Sequence, residues 1–161
     1  MLITMLKLLC LCCLLLVTFQ DFKERKVYLW LLICTGSFMS QQFFYSVAPD
    51  VFLINVLINL SIILLIVGIL YLHIRFKLKI KLHEAMGLGD IFFFLGIAIS
   101  FPVITFILLF SLSLLFSSVL FLVLKPLLKM NDVPLAGLQA LFFFLIFSIN
   151  WQLDYINLYL I

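Results

Sequence analysis

The chain has 161 residues, of which 67% are hydrophobic and only 11% charged, with a formal net charge of +3. Soluble domains carry roughly 25% charged residues. A solvated globule, a disordered chain and a nucleic-acid binder are therefore poor fits, and apolar runs at this density are those of a polytopic membrane protein. At about 20 residues per crossing, the chain has room for six helices and little else, in one integral membrane domain over residues 1–161.

The first apolar run, Leu2–Phe19, predicts a helix. Lys7 lies near its start, where a long aliphatic stem lets the ammonium snorkel to the headgroups. No small-residue cleavage site follows the run, so it reads as a retained span rather than a signal peptide. Cys10, Cys12 and Cys13 fall inside it and Cys34 inside the next span, where free cysteine packs as a small hydrophobe. Their spacing offers no zinc site, and no metal or cofactor is expected.

Val27–Tyr45 and Val51–Leu72 are the second and third spans. Asn55 and Asn59 lie one helical turn apart in the third, a spacing that predicts hydrogen bonds to a neighbouring helix. Next, Ile74–Leu82 alternates apolar and basic residues with period two, bracketed by His73 and His83. Period two is the pattern of a strand. The segment reads either as an interfacial stretch whose lysines meet anionic headgroups, or as an extended edge that pairs with a substrate strand.

Met86–Ile99 is the shortest span and ends at Ser100-Phe101-Pro102, where proline interrupts the helical ladder. Pro102–Leu124 and Leu135–Ile149 complete the six, with a short tail to Ile161. The fold class expected is an all-α bundle of about six transmembrane helices. Lysine and arginine follow spans one (Lys23, Arg25, Lys26), three (Arg75, Lys77, Lys79, Lys81) and five (Lys125, Lys129), and none follows spans two, four and six. The positive-inside rule then makes those three loops cytoplasmic and both termini non-cytoplasmic.

Two acidic residues stand apart from the loop charges. Asp21 ends the first span and Asp90 opens the fourth, directly before Ile91-Phe92-Phe93-Phe94. A carboxylate at the edge of hydrocarbon is costly and marks a functional position. Both lie at the same membrane boundary, so the two can meet when the bundle packs. Two close carboxylates share a proton, so one can take a proton from water while the other donates to a carbonyl oxygen. This is the chemistry of aspartic peptide hydrolysis. Gly87 and Gly89 permit close backbone approach beside Asp90, and a helix N-terminus there favours its charge.

Glu84-Ala-Met-Gly-Leu-Gly-Asp90 resembles the E-x-M-G-x-G-D segment of the type IV prepilin peptidases, membrane aspartyl proteases of the G-x-G-D kind. Asp21-Phe-Lys-Glu-Arg25-Lys-Val27 resembles that family's first motif, and Val133-Pro134-Leu-Ala-Gly137 the proline-containing segment that opens its last helices. The resemblance implies a multi-pass enzyme of a bacterial or archaeal cytoplasmic membrane. Such an enzyme cuts the basic leader from type IV prepilins or pseudopilins, in pilus assembly or protein secretion. It implies Asp21 and Asp90 as catalytic, with Gly87, Gly89, Arg25 and Glu84 in supporting or substrate-binding roles. The first basic loop, Phe19–Val27, has no cysteine-motif insert, which likens the chain to the short form without N-methyltransferase activity. Tyr28-Leu29 and Phe92 depart from the family pattern. Two other readings fit the same residues: a catalytically impaired relative that binds pilin-like helices, and a small proton-coupled transport subunit.

Overall fold

The computed structural model describes residues 2–78, 87–128, 133–153 and 158–159. Among them are six α-helices: α1 (Leu2–Glu24), α2 (Leu29–Phe44), α3 (Pro49–His73), α4 (Leu88–Ala98), α5 (Val103–Leu128) and α6 (Leu135–Leu153). No strand occurs among the described residues. The apolar runs predicted this order and nearly these bounds. They form helices because each is strongly apolar, and helix is the way to satisfy every backbone group within one segment in hydrocarbon.

Four segments are long and apolar enough to cross a membrane: Thr4–Glu24, Pro49–Lys77, Val103–Pro126 and Leu135–Gln152. The other two are shorter, with 16 residues in α2 and 11 in α4. At about 1.5 Å per residue, α4 is only about 16 Å long, and its far end does not reach the end of the bundle. The turn after it, Ser100-Phe101-Pro102, is buried. Buried helix-terminal carbonyls need donors, and the third helix supplies them. The Asn59 side-chain amide donates to the carbonyls of Ala98 (2.9 Å) and Phe101 (2.8 Å), while Asn55 Oδ1 accepts from the Val103 amide (2.9 Å). The expected interhelical role of the two asparagines is thus met at one place, the α4–α5 turn.

Helix α1 packs against α6 and α2, α4 packs against α2 and α3, and α5 packs against α6. Helices α2 and α4 touch through backbone: a Cβ on Gly36 would lie 3.1 Å from the Gly96 Cα. Around the sunken turn the core is aromatic. Phe101 stacks on Phe143, Phe147 and Tyr159 with ring centroids 5.8, 5.9 and 6.1 Å apart, and Tyr159 also stacks on Phe43 at 6.0 Å.

The alternating segment does not extend where it is described. Ile74–Leu78 winds as a π-helical turn continuing α3. The Ile74 amide stays on the α3 ladder, donating to the Leu70 and Tyr71 carbonyls. Arg75 hydrogen-bonds the Tyr71 hydroxyl at 3.0 Å, with its guanidinium 6.0 Å from that ring. This i,i+4 contact is available only on helical backbone, and with the ladder it overrides the period-two pattern. The rest of the segment and His83 lie outside the described residues.

Candidate active site

Asp21 lies one turn from the end of α1, and Asp90 lies in the first turn of α4. Asp21 is 7% exposed and Asp90 is half-buried. What brings them together is a third helix. The ladder of α6 opens with the Leu138 amide donating to the Pro134 carbonyl at 3.0 Å. The amides just before it therefore have no carbonyl within their own helix. The Ala136 amide donates to Asp90 Oδ1 at 2.9 Å, and the Gly137 amide donates to Asp21 Oδ2 at 2.6 Å. Two carboxylates from helices far apart in the chain thus sit on adjacent peptide groups. Both are near the positive end of α6, where negative charge is favoured.

Each aspartate is also held from its own element. Asp90 is the third helical residue of α4, and Gly87 is the N-cap. Its amide donates to the Gly87 carbonyl at 3.1 Å, and a Cβ on Gly87 would lie 3.3 Å from Asp90 Oδ2. A carboxylate folded back on the N-cap from the third position is the acidic half of a capping box. At the other aspartate, the Arg25 amide donates to the Asp21 carbonyl at 3.1 Å and closes α1. Arg25 does so at φ 56°, the left-handed C-cap conformation usually taken by glycine. Its charge acts on the Asp21 carboxylate. The Gln20 side chain then steadies the connection to α2, with Oε1 accepting the Tyr28 amide at 3.2 Å.

The structure sorts the other residues predicted for the site. Gly87 stands against Asp90, but with φ −65° and ψ 139° it needs no special conformation. A Cβ on Gly89 would meet only Leu32 Cδ1 at 3.8 Å, an ordinary contact. The glycine that has no room for a Cβ is Gly137: one built there would lie 2.8 Å from the Asp21 Cβ and 2.9 Å from Oδ2. Glu84 lies outside the described residues.

The first turn of α6 is what the sequence reading missed. Val133–Gly137 served there as a motif in order, with no part in the site. The available signal was Pro134 ahead of an apolar run, which marks a helix start and hence a set of unpaired donors. Comparison with protein-family models, curated proteins and solved structures returns no match for the chain. The site is therefore defined by its own geometry.

Proposed function

We propose that this chain is a membrane-embedded aspartic endopeptidase of the prepilin-peptidase type. It removes a short basic leader from precursors that continue into a hydrophobic helix, at the cytoplasmic face of the membrane. The observation that carries this reading is the pair of carboxylates, Asp21 and Asp90, held on the adjacent amides of Gly137 and Ala136. Two such groups share one proton. The ionised carboxylate takes a proton from water as its oxygen attacks the scissile carbonyl, and the neutral one donates its proton to the carbonyl oxygen. When the tetrahedral intermediate collapses, the carbon–nitrogen bond breaks and the leaving amine takes the proton that came from water. The hydroxyl formed on the carbonyl oxygen returns its proton to the carboxylate that donated it. The protein supplies all of these proton positions from its own side chains.

Two further features support an active peptidase over the other readings. Tyr28 is exposed at the start of α2, and Phe92 lines a groove with Leu32, Ile33, Gly36 and Leu95. On a helix with 3.6 residues per turn, Phe92 points away from the face that carries Asp90. Neither departure from the family pattern therefore touches the pair. Against proton-coupled transport, the described core beyond the pair is apolar, packed with the stacked rings of Phe101, Phe143, Phe147 and Tyr159.

The test is co-expression with a precursor that carries a basic leader ahead of an apolar helix, with leader removal followed by mass spectrometry. Wild type is expected to release the leader, and Asp21→Asn and Asp90→Asn are each expected to abolish release. Cleavage that persists in either variant would overturn the dyad.

A further inference from the structure

We propose that the first turn of α6 is the positioning element of the dyad, with Gly137 acting through Asp21 and the Ala136 amide acting through Asp90. For its catalytic consequence this rests on the endopeptidase reading; the positioning itself does not.

Three observations carry it. First, both amides precede the first intrahelical hydrogen bond of α6, so they are donors the helix leaves unpaired. Second, they are consecutive, at 2.9 Å from Asp90 Oδ1 and 2.6 Å from Asp21 Oδ2. The two donor nitrogens flank residue 136, three covalent bonds apart, and the helical backbone there fixes their spacing and with it that of the two acceptor oxygens. Third, Gly137 leaves no room for a side chain, because a Cβ would lie 2.8 Å from the Asp21 Cβ. That neighbour is the root of the aspartate side chain and cannot swing aside without moving the carboxylate. A methyl group at 137 therefore displaces Asp21 from its amide and leaves the charge type of the site unchanged.

Catalytic geometry is sensitive on this scale, since a shift of about 1 Å costs on the order of 100-fold in rate. Gly137→Ala is expected to lower kcat on a leader-bearing precursor by about 100-fold. KM should stay within about threefold, as expected when an interaction specific to the transition state is lost. If Gly137→Ala does not fold, Ala136→Pro tests the same element. Proline is accepted in a first helical turn; at 136 it removes the donor to Asp90 and sets its ring against that carboxylate in the donor's place. It is expected to lower kcat in the same way. Wild-type kcat in the folded variants would overturn the proposal.

A second measurement needs no substrate. In the ¹⁵N-labelled full-length protein in micelles, Asp21→Asn is expected to shift the Gly137 amide resonance, and Asp90→Asn that of Ala136. Amides that ignore their own partner would overturn the positioning role. A wild-type chain that cleaves no precursor but shows both shifts would remove the peptidase reading and uphold the positioning.

Discussion

Arg25 pays twice for its place beside the pair. It takes a left-handed backbone at φ 56°, which costs an ordinary residue roughly 1–2 kcal/mol, and it brings a charge to bear on Asp21. Glycine at this position relieves the backbone but has more unfolded freedom to lose, worth about 0.5–1 kcal/mol. Arg25→Gly is therefore expected to leave the thermal midpoint in detergent level or slightly raised, while leader cleavage falls by about tenfold, an effect of about 1.4 kcal/mol. A lower midpoint with unchanged cleavage would make Arg25 a structural residue only. The pair itself dictates the shape of the pH profile. Cleavage needs one carboxylate charged and the other neutral, so kcat/KM against pH is expected to be bell-shaped. A single sigmoid would mean that one carboxyl acts without the other.

Among the elements, α4 is the one that depends most on its neighbours. It is 11 residues long, it carries Asp90 at one end, and it stops inside the bundle at the other. There Asn59 provides the donors for the Ala98 and Phe101 carbonyls. Asn59→Leu leaves both carbonyls unpaired in an apolar surround and is expected to cost about 2 kcal/mol, seen as a lower thermal midpoint. Gln139 makes the contrast. Both side chains are fully buried and both carry an oxygen with no partner, but Gln139 gives a single bond, to the Ser113 hydroxyl at 3.2 Å, where Asn59 gives two to backbone carbonyls. Ser113 keeps its own bond to the Phe110 carbonyl, so Gln139→Leu is expected to cost much less than Asn59→Leu. Equal losses would show that the α4–α5 turn is not held by Asn59.

Much at this scale was legible in the sequence. Long apolar runs fix helices, Pro102 marks the break, and two asparagines one turn apart announce an interhelical contact. Ile74–Leu78 was misread because alternation reports side-chain placement, whereas a helix already propagating from α3 decides the backbone. The first turn of α6 was hidden for another reason: its chemistry is carried by amides, which every residue type but proline possesses.

At the scale of the whole molecule, most of the described charges gather at one end of the bundle, Lys7 near the start of α1 and Asp50 at the start of α3 excepted. Lys23 lies in the last turn of α1, Arg25 and Lys26 follow that helix, Arg75 and Lys77 follow α3, and Lys125 lies in the last turn of α5. Exposed Phe19, Tyr28 and Trp30 lie beside them, as aromatic side chains do at a membrane interface. The aspartate pair sits at this basic end, and the stacked aromatic core lies toward the opposite one. If the basic end faces the cytoplasm, a leader still inside the cell meets the pair directly without crossing the bundle. Single cysteines read this orientation. Lys26 and Ala48 are both exposed, the first after α1 and the second just before α3. In intact cells, Ala48→Cys is expected to react with a membrane-impermeant maleimide, and Lys26→Cys only after permeabilisation. The four native thiols lie within α1 and α2, and their labelling in the unsubstituted chain sets the blank. The reverse pattern would turn the pair toward the outside and end the case for a cytoplasmic leader peptidase, because the leader would then have to be translocated before it was cut.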